Sequence, residues 1–204
     1  MHISEGVLSA PVLIAGAAAS VACVGVGLKK MNYDEVPRVA VLSSAFFIAS
    51  LIHIPIGPAS AHLILNGIVG LLLGWTAFPA ILLALALQAV LFQFGGVTTL
   101  GINTFNMAMP AVLIYYCFRG GIRSQNRWIM TVSAFCAGSL SVLLSGIIVA
   151  ASLVTTGEVF VAVGKVIICA HIPVIITEGL LTVFCIGFLR KVKSEMLDSS
   201  RKGA

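Results

Sequence analysis

EVFVAVGKVIICAHIPVIITEGLLTVFCIGFLR, residues 158–190, is apolar for longer than one membrane span needs. A bilayer core is crossed by about 20 helical residues, and Pro173 interrupts this run. The residue before a proline is biased away from helix, so the run divides into a short helix over 159–170 and a span over 172–189. That division decides the span count. Upstream, apolar segments at 7–28, 36–54, 61–75, 79–92, 102–118 and 128–154 read as six further spans. A Gly/Thr-rich connection at 95–101 separates the fourth from the fifth.

Seven spans put the charges on one side. Lys29, Lys30 and Arg38 lie in the first connection, and Arg119, Arg123 and Arg127 in the fifth. Arg190, Lys191, Lys193, Arg201 and Lys202 lie in the tail, and Lys165 alone falls on the opposite side. Basic loops stay in the cytoplasm, so the N-terminus is expected outside and the C-terminus inside. The composition agrees: 59% hydrophobic, 9% charged and a mean hydropathy of +1.11. No soluble domain buries that much apolar surface. The chain is expected to be an all-α integral membrane protein, a single domain over 1–204, with no cleavable leader. Its +5 charge belongs to loops and does not point to nucleic acid.

The same topology gathers His2, His53, His62 and His171 on the outer side. Met1-His2 offers three nitrogens in one short chelate: the α-amine, the His2 amide and its imidazole. Together they close a five- and a six-membered ring in one plane. Such a set suits Ni²⁺, Cu²⁺ or Co²⁺ better than Mg²⁺ or Ca²⁺, which want oxygens. His62 follows the tight loop Ile56-Gly-Pro-Ala-Ser-Ala61, and its neutral imidazole would make a fourth nitrogen ligand. The other reading is an interfacial histidine satisfied by water.

Other polar residues have two readings each. His53-Ile54-Pro55 and His171-Ile172-Pro173 share a pattern that either orients a ligand or caps a helix end. Glu178 lies inside an apolar span, where a carboxylate is costly. It either pairs with His171 or a loop amide, or takes a direct part in cation passage. Glu5 is a lid anchor or a solvated charge. Gln88, Asn103, Thr104 and Asn106 need partners at their depth, which an N-terminal segment threaded into the bundle would supply. Ala15-x-x-x-Ala19, Ala18-x-x-x-Ala22 and Ala134-x-x-x-Gly138 allow close helix packing, within the bundle or against a partner helix.

Several chemistries are excluded. The glycine-rich connection lacks the Gly-Lys-Ser/Thr ending of a phosphate loop. No His-Glu-x-x-His, Ser-Lys pair or aspartate dyad supports a hydrolase, and no enzyme activity is expected. Five cysteines without a CxxC read as buried small hydrophobes.

Met1-His-Ile-Ser-Glu-Gly6, Pro58-Ala-Ser-Ala-His62-Leu63, Phe94-Gly-Gly-Val-Thr-Thr-Leu-Gly-Ile-Asn-Thr-Phe-Asn-Met107 and His171-Ile-Pro-Val-Ile-Ile-Thr-Glu178-Gly179 together resemble one family. It is the substrate-specific (S) component of energy-coupling-factor (ECF) transporters for cobalt and nickel, the CbiM/NikM family. The resemblance implies an N-terminus folded back into the bundle from outside. It also implies metal held by the Met1 amine, the His2 amide and imidazole, and His62. Ser4, Glu5, His53, Asn103, Asn106, His171 and Glu178 are read beside them as lid or ligand-supporting residues. The implied partners are a transmembrane coupling protein, two cytoplasmic ATPase subunits and a small accessory membrane protein, in a prokaryotic cytoplasmic membrane. Cobalt, for cobalamin synthesis, is the expected cargo ahead of nickel, and no resident cofactor is implied. Members often carry Gly before this histidine and Gly-Gly soon after, whereas Ala61 and Leu65-Asn66-Gly67 stand here, which bears on pocket shape and metal preference. An intramembrane metalloenzyme or a metal sensor would be the other classes. The first would turn over alone through Glu178, and the second would bind metal without uptake.

Overall fold

The computed structural model describes residues 2–56, 59–157 and 161–198. Helix α1 spans Ala10–Lys30, and α2 spans Val36–Ser50 after a 3-10 turn at Tyr33–Glu35. Strands β1 (His53–Ile56) and β2 (Ala59–His62) form an antiparallel hairpin that pairs His53 with His62. Then come α3 (Asn66–Leu73), α4 (Ala77–Phe92), α5 (Leu100–Ile122), α6 (Arg127–Val154), α7 (Val161–Ala170), α8 (Ile172–Val192) and α9 (Glu195–Asp198).

The division at Pro173 holds, because α8 starts at Ile172 with the proline in its first turn, where a missing N–H costs nothing. The hairpin corrects the expected second and third spans. Residues 51–54 do not continue α2, and helix after His62 resumes only at Asn66. Pro55 removes an N–H donor and pushes Ile54 before it to extended backbone. Two β-branched isoleucines flank Pro55 and favour the same state.

The eight-residue α3, about 12 Å long, is too short to cross a bilayer alone. Gly74 (φ 56°, ψ −123°) and a 3-10 turn break it from α4. By length and composition, Ala10–Lys30, Asn66–Phe92, Arg127–Val154 and Ile172–Val192 are candidate membrane spans. Exposed Val21, Val90, Trp128 and Phe184 give the helices apolar outer faces, as a multi-pass membrane protein requires.

Packing is tightest around α3. A Cβ on Gly67 would sit 2.6 Å from the Gly138 Cα, and one on Gly70 would strike the Ala111 carbonyl. Backbones of α3, α5 and α6 therefore touch directly, and Ala134-x-x-x-Gly138 faces inward. No water is displaced between helices in lipid, so such small-residue contacts hold by dispersion. By contrast α1 has 17% of its most apolar window buried, against 78% for Asn66–Phe92. None of the five cysteines is fully buried as expected: Cys117 and Cys169 are exposed, and Cys23, Cys136 and Cys185 are half-buried.

Candidate metal centre

The N-terminal segment lies in a groove between the α4–α5 connection and α6. Ile3, 4% exposed, anchors it among Leu8, Ile102, Val149 and Leu153. The Asn103 side chain grips the Ile3 backbone at both poles. Ile3 N–H donates to Asn103 Oδ1, and Asn103 Nδ2 donates to Ile3 O, each at 3.0 Å. A side-chain amide thus does here what a neighbouring strand would do. Two residues on, Glu5 N–H donates to Gly95 O at 3.0 Å. Glu5 Oε1 accepts from Thr98 N–H (2.9 Å) and Thr98 Oγ1 (3.0 Å). These bonds hold the Glu5 carboxyl below its usual pKa, chiefly the Thr98 N–H. Gly96 (φ 118°) faces this carboxylate, and a Cβ there would collide with the Glu5 side chain. Ser4 is exposed and enters none of these bonds.

The segment delivers His2 onto His62. Their rings stack with centroids 4.9 Å apart and planes 15° from parallel, and Phe94 lies 6.3 Å from His2 on a nearly parallel plane. His62 is 2% exposed, and its Nδ1 is 3.0 Å from Leu63 O. A carbonyl only accepts, so Nδ1 carries the proton and the ring's lone pair falls on Nε2. Met1 lies outside the described residues.

Glu178 reaches this centre from α8. Its Oε1 accepts from Ile64 N–H and from Leu65 N–H, the latter at 2.8 Å. Leu65 is left-handed (φ 55°), so the carboxylate stabilises a strained turn directly after His62. Of the pairings open to Glu178 in sequence, the loop amides are the ones present. His171 is 3% exposed and occupies the N-cap of α8, where its carbonyl accepts from Ile175 N–H at 2.8 Å. The cross-strand register sets His53 opposite His62, and its side chain lies outside the described set. Asn106, fully buried, accepts from Ser152 Oγ at 3.5 Å. Asn66 donates to Ser145 Oγ at 2.9 Å.

Thr98 and Phe94 belong to the centre without having been singled out in sequence. Their signal was present in the glycine-rich connection, since Gly95 and Gly96 take positive φ and let that loop close on the N-terminal segment. Among the described residues no three His, Cys, Asp or Glu side chains are grouped to hold a metal ion. Two imidazoles meet at this point.

Comparison with known proteins finds relatives in both sequence and fold. Residues 2–196 match the CbiM family, described as cobalt uptake substrate-specific transmembrane region. A Haemophilus influenzae protein named "Putative metal transport protein" is 39% identical over 97% of each chain. The "Fused nickel transport protein NikMN" of Rhodobacter capsulatus is 37% identical over 68% of this chain, which spans 43% of that fused protein. The "Cobalt transport protein CbiM" of Desulforamulus reducens is 30% identical, over 96% of this chain and 84% of that one. A solved structure described as a transition metal transporter superposes with a TM-score of 0.76, at 25% identity over 99% of both chains.

Proposed function

Because the chain belongs to the CbiM family of cobalt and nickel transport proteins, and is a membrane transport component rather than an enzyme, we propose that it captures one divalent ion between His2 and His62. The ion is Co²⁺ or Ni²⁺, since relatives are named for each metal. Its donors are the Met1 amine, the His2 amide nitrogen, the His2 imidazole and His62.

The His2–His62 stack carries this reading. In a planar chelate the amide nitrogen is the middle donor, so a fourth ligand sits opposite it and beside the imidazole. Two imidazoles bound side by side to one ion have centroids roughly 4.5 Å apart, and about 6.4 Å when opposite. The observed 4.9 Å is near the side-by-side value, and the rings, now 15° from parallel, would turn out of their stack for both in-plane lone pairs to meet one ion.

Seven crossings, with the short α3 running from the histidine end and α4 returning to it after the reversal at Gly74, place the histidine end outside and the basic loops in the cytoplasm. Uptake across a prokaryotic cytoplasmic membrane is then driven by ECF partners: a transmembrane coupling protein, two cytoplasmic ATPase subunits and a small accessory membrane protein. Ala15, Ala18 and Ala22, exposed on α1, form the docking face for the coupling protein. Bulky substitution at Ala18 and Ala22 should abolish assembly and spare metal binding.

The test is Co²⁺ and Ni²⁺ binding by protein with its native N-terminus, beside protein extended by a few residues before Met1. Extension should abolish binding, while substitution of His53 or His171 should be mild, and the tighter metal identifies the cargo, with cobalt the expectation. Equal binding by the extended protein would remove the amine from the ligand set.

A further inference from the structure

The end of the bundle remote from the histidines is closed by the chain's own C-terminal residues. Residues 191–195 are exposed, after which the chain turns inward and Leu197 is 6% exposed. Leu197 lies in one cluster with Ile68 and Leu71 of α3, Ile114 and Ile122 of α5, and Ile186 of α8. Two guanidinium groups hold its backbone. Arg123 Nε donates to Leu197 O at 3.0 Å, and Arg38 Nη2 donates to Met196 O at 2.7 Å. The same Arg38 nitrogen donates to Leu72 O at 2.5 Å, so it ties this strap to the last turn of α3.

The geometry of α3 gives that tie a consequence. His62 and the turn pinned by Glu178 stand just before the first turn of α3, and the Arg38 contact stands at its last. With Gly67 against Gly138 and Gly70 against Ala111, α3 is wedged backbone to backbone and has little room to bend. A rod of about 12 Å thus carries a proposed metal ligand at one end and the strap at the other.

We propose that the strap Glu195–Asp198, acting through Arg38 and α3, holds His62 in its metal-binding position, and that opening the strap at the arginine end loosens the ion at the histidine end. This rests on the metal site proposed above. Hydrogen bonds to carbonyls are individually modest, so the strap can open without unfolding the bundle. A partner at the cytoplasmic face would meet the exposed Lys191 and Lys193 first. Coupling between two sites is reciprocal: whatever affinity the ion loses on strap opening, the strap gains in closure on ion binding.

The experiment uses the full chain with native Met1 in detergent and Co²⁺ alone as probe, after native binding has been established. Arg123→Gln loosens the strap without touching α3, and Leu197→Ala loosens it by removing the side chain that packs with Ile68 and Leu71 of α3. Hydrogen exchange is read at the Met196 and Leu197 amides, which donate to Lys193 O and Ser194 O. Both variants should bind Co²⁺ about fivefold or more weakly, and Co²⁺ should slow strap exchange in the native protein by a similar factor. Arg38→Lys, which lacks the planar fork, should fall between native and Arg38→Gln. If Leu197→Ala does not keep a native melting transition, Arg123→Gln carries the comparison. Native affinity in the folded variants, or strap exchange indifferent to Co²⁺, overturns the coupling and leaves the metal site standing. Absence of Co²⁺ and Ni²⁺ binding by the native chain overturns the metal site itself.

Discussion

At the histidine end the N-terminal segment is held by amides and a carboxylate: Asn103 on Ile3, Gly95 on Glu5, and Glu5 on Thr98. At the arginine end the C-terminal strap is held by Arg38 and Arg123. Arg190 beside it donates to Ser124 O at 2.8 Å. Both ends are closed by a tucked-in segment, residues 2–8 at one and Glu195–Asp198 at the other, with different chemistry. The first closure presents imidazole lone pairs and one anion, which attract a divalent cation. The second holds the carbonyls of its plug with guanidinium groups, which offer a cation no lone pair. On the metal site proposed above, loading belongs to the histidine end and release follows opening of the arginine end.

The comparison breaks most sharply at His62. His62→Ala should weaken Co²⁺ or Ni²⁺ binding by more than about 100-fold, since outer partners of metal ligands already cost about 10–100-fold. Calorimetric titration of the purified protein checks it, and an unchanged isotherm would sever the histidine end from metal. Next comes Gly96→Ala, which combines a left-handed φ with a collision against Glu5. It should displace the N-terminal segment and weaken metal binding roughly tenfold or more, while thermal unfolding of the bundle changes little. Loss of the fold instead would make the latch structural.

Glu178→Ala leaves the Ile64 and Leu65 amides without their acceptor, at about 1–3 kcal/mol each. Melting temperature and metal affinity should fall together, and Glu178→Gln, which keeps an acceptor oxygen, should recover most of both. A Gln variant as damaged as Ala would show that the charge itself, rather than the turn, is needed.

The smallest effect concerns Glu5 and pH. Its folded pKa is depressed below 4.5, so its latch is fully present above that value and is lost as pH falls through the depressed one. Metal binding that declines from about pH 8 downward reflects protons returning to the amine and imidazoles, whose ordinary values are about 8 and 6.5. Affinities of native protein and Glu5→Gln measured from pH 5 to 8 should therefore run parallel. Curves that converge within that window would assign the decline to Glu5.

Much of the fold was legible in sequence because its signals are local. Apolar length marked α1, α6 and α8, and Pro173 set the start of α8. The hairpin at His53–His62 was not legible, since two four-residue strands in an apolar run look like helix until their prolines are weighed against length. The C-terminal strap was hidden for another reason: Glu195–Asp198 is a polar-looking tail, and only Leu197 meets the core. Within the metal centre, the Met1-His2 chelate could be drawn from chemistry alone. The Asn103 grip on Ile3 bridges residues 100 apart in sequence, and the Glu178 contact with Leu65 bridges 113. No local pattern reports such pairs.

The sequence by itself determined that this is a membrane protein, where its apolar helices run, on which loops its basic charge gathers, and that its first two residues could chelate a transition metal. Those properties follow from hydropathy, proline geometry and ligand chemistry, each read within a few residues. Only the tertiary structure decided that His2 meets His62, that Glu178 pins the turn after it, and that Ile3 and Leu197 both tuck into the bundle. In lipid those contacts come from small-residue packing and from polar groups seeking partners where no water is available, and which partner each finds depends on the whole fold.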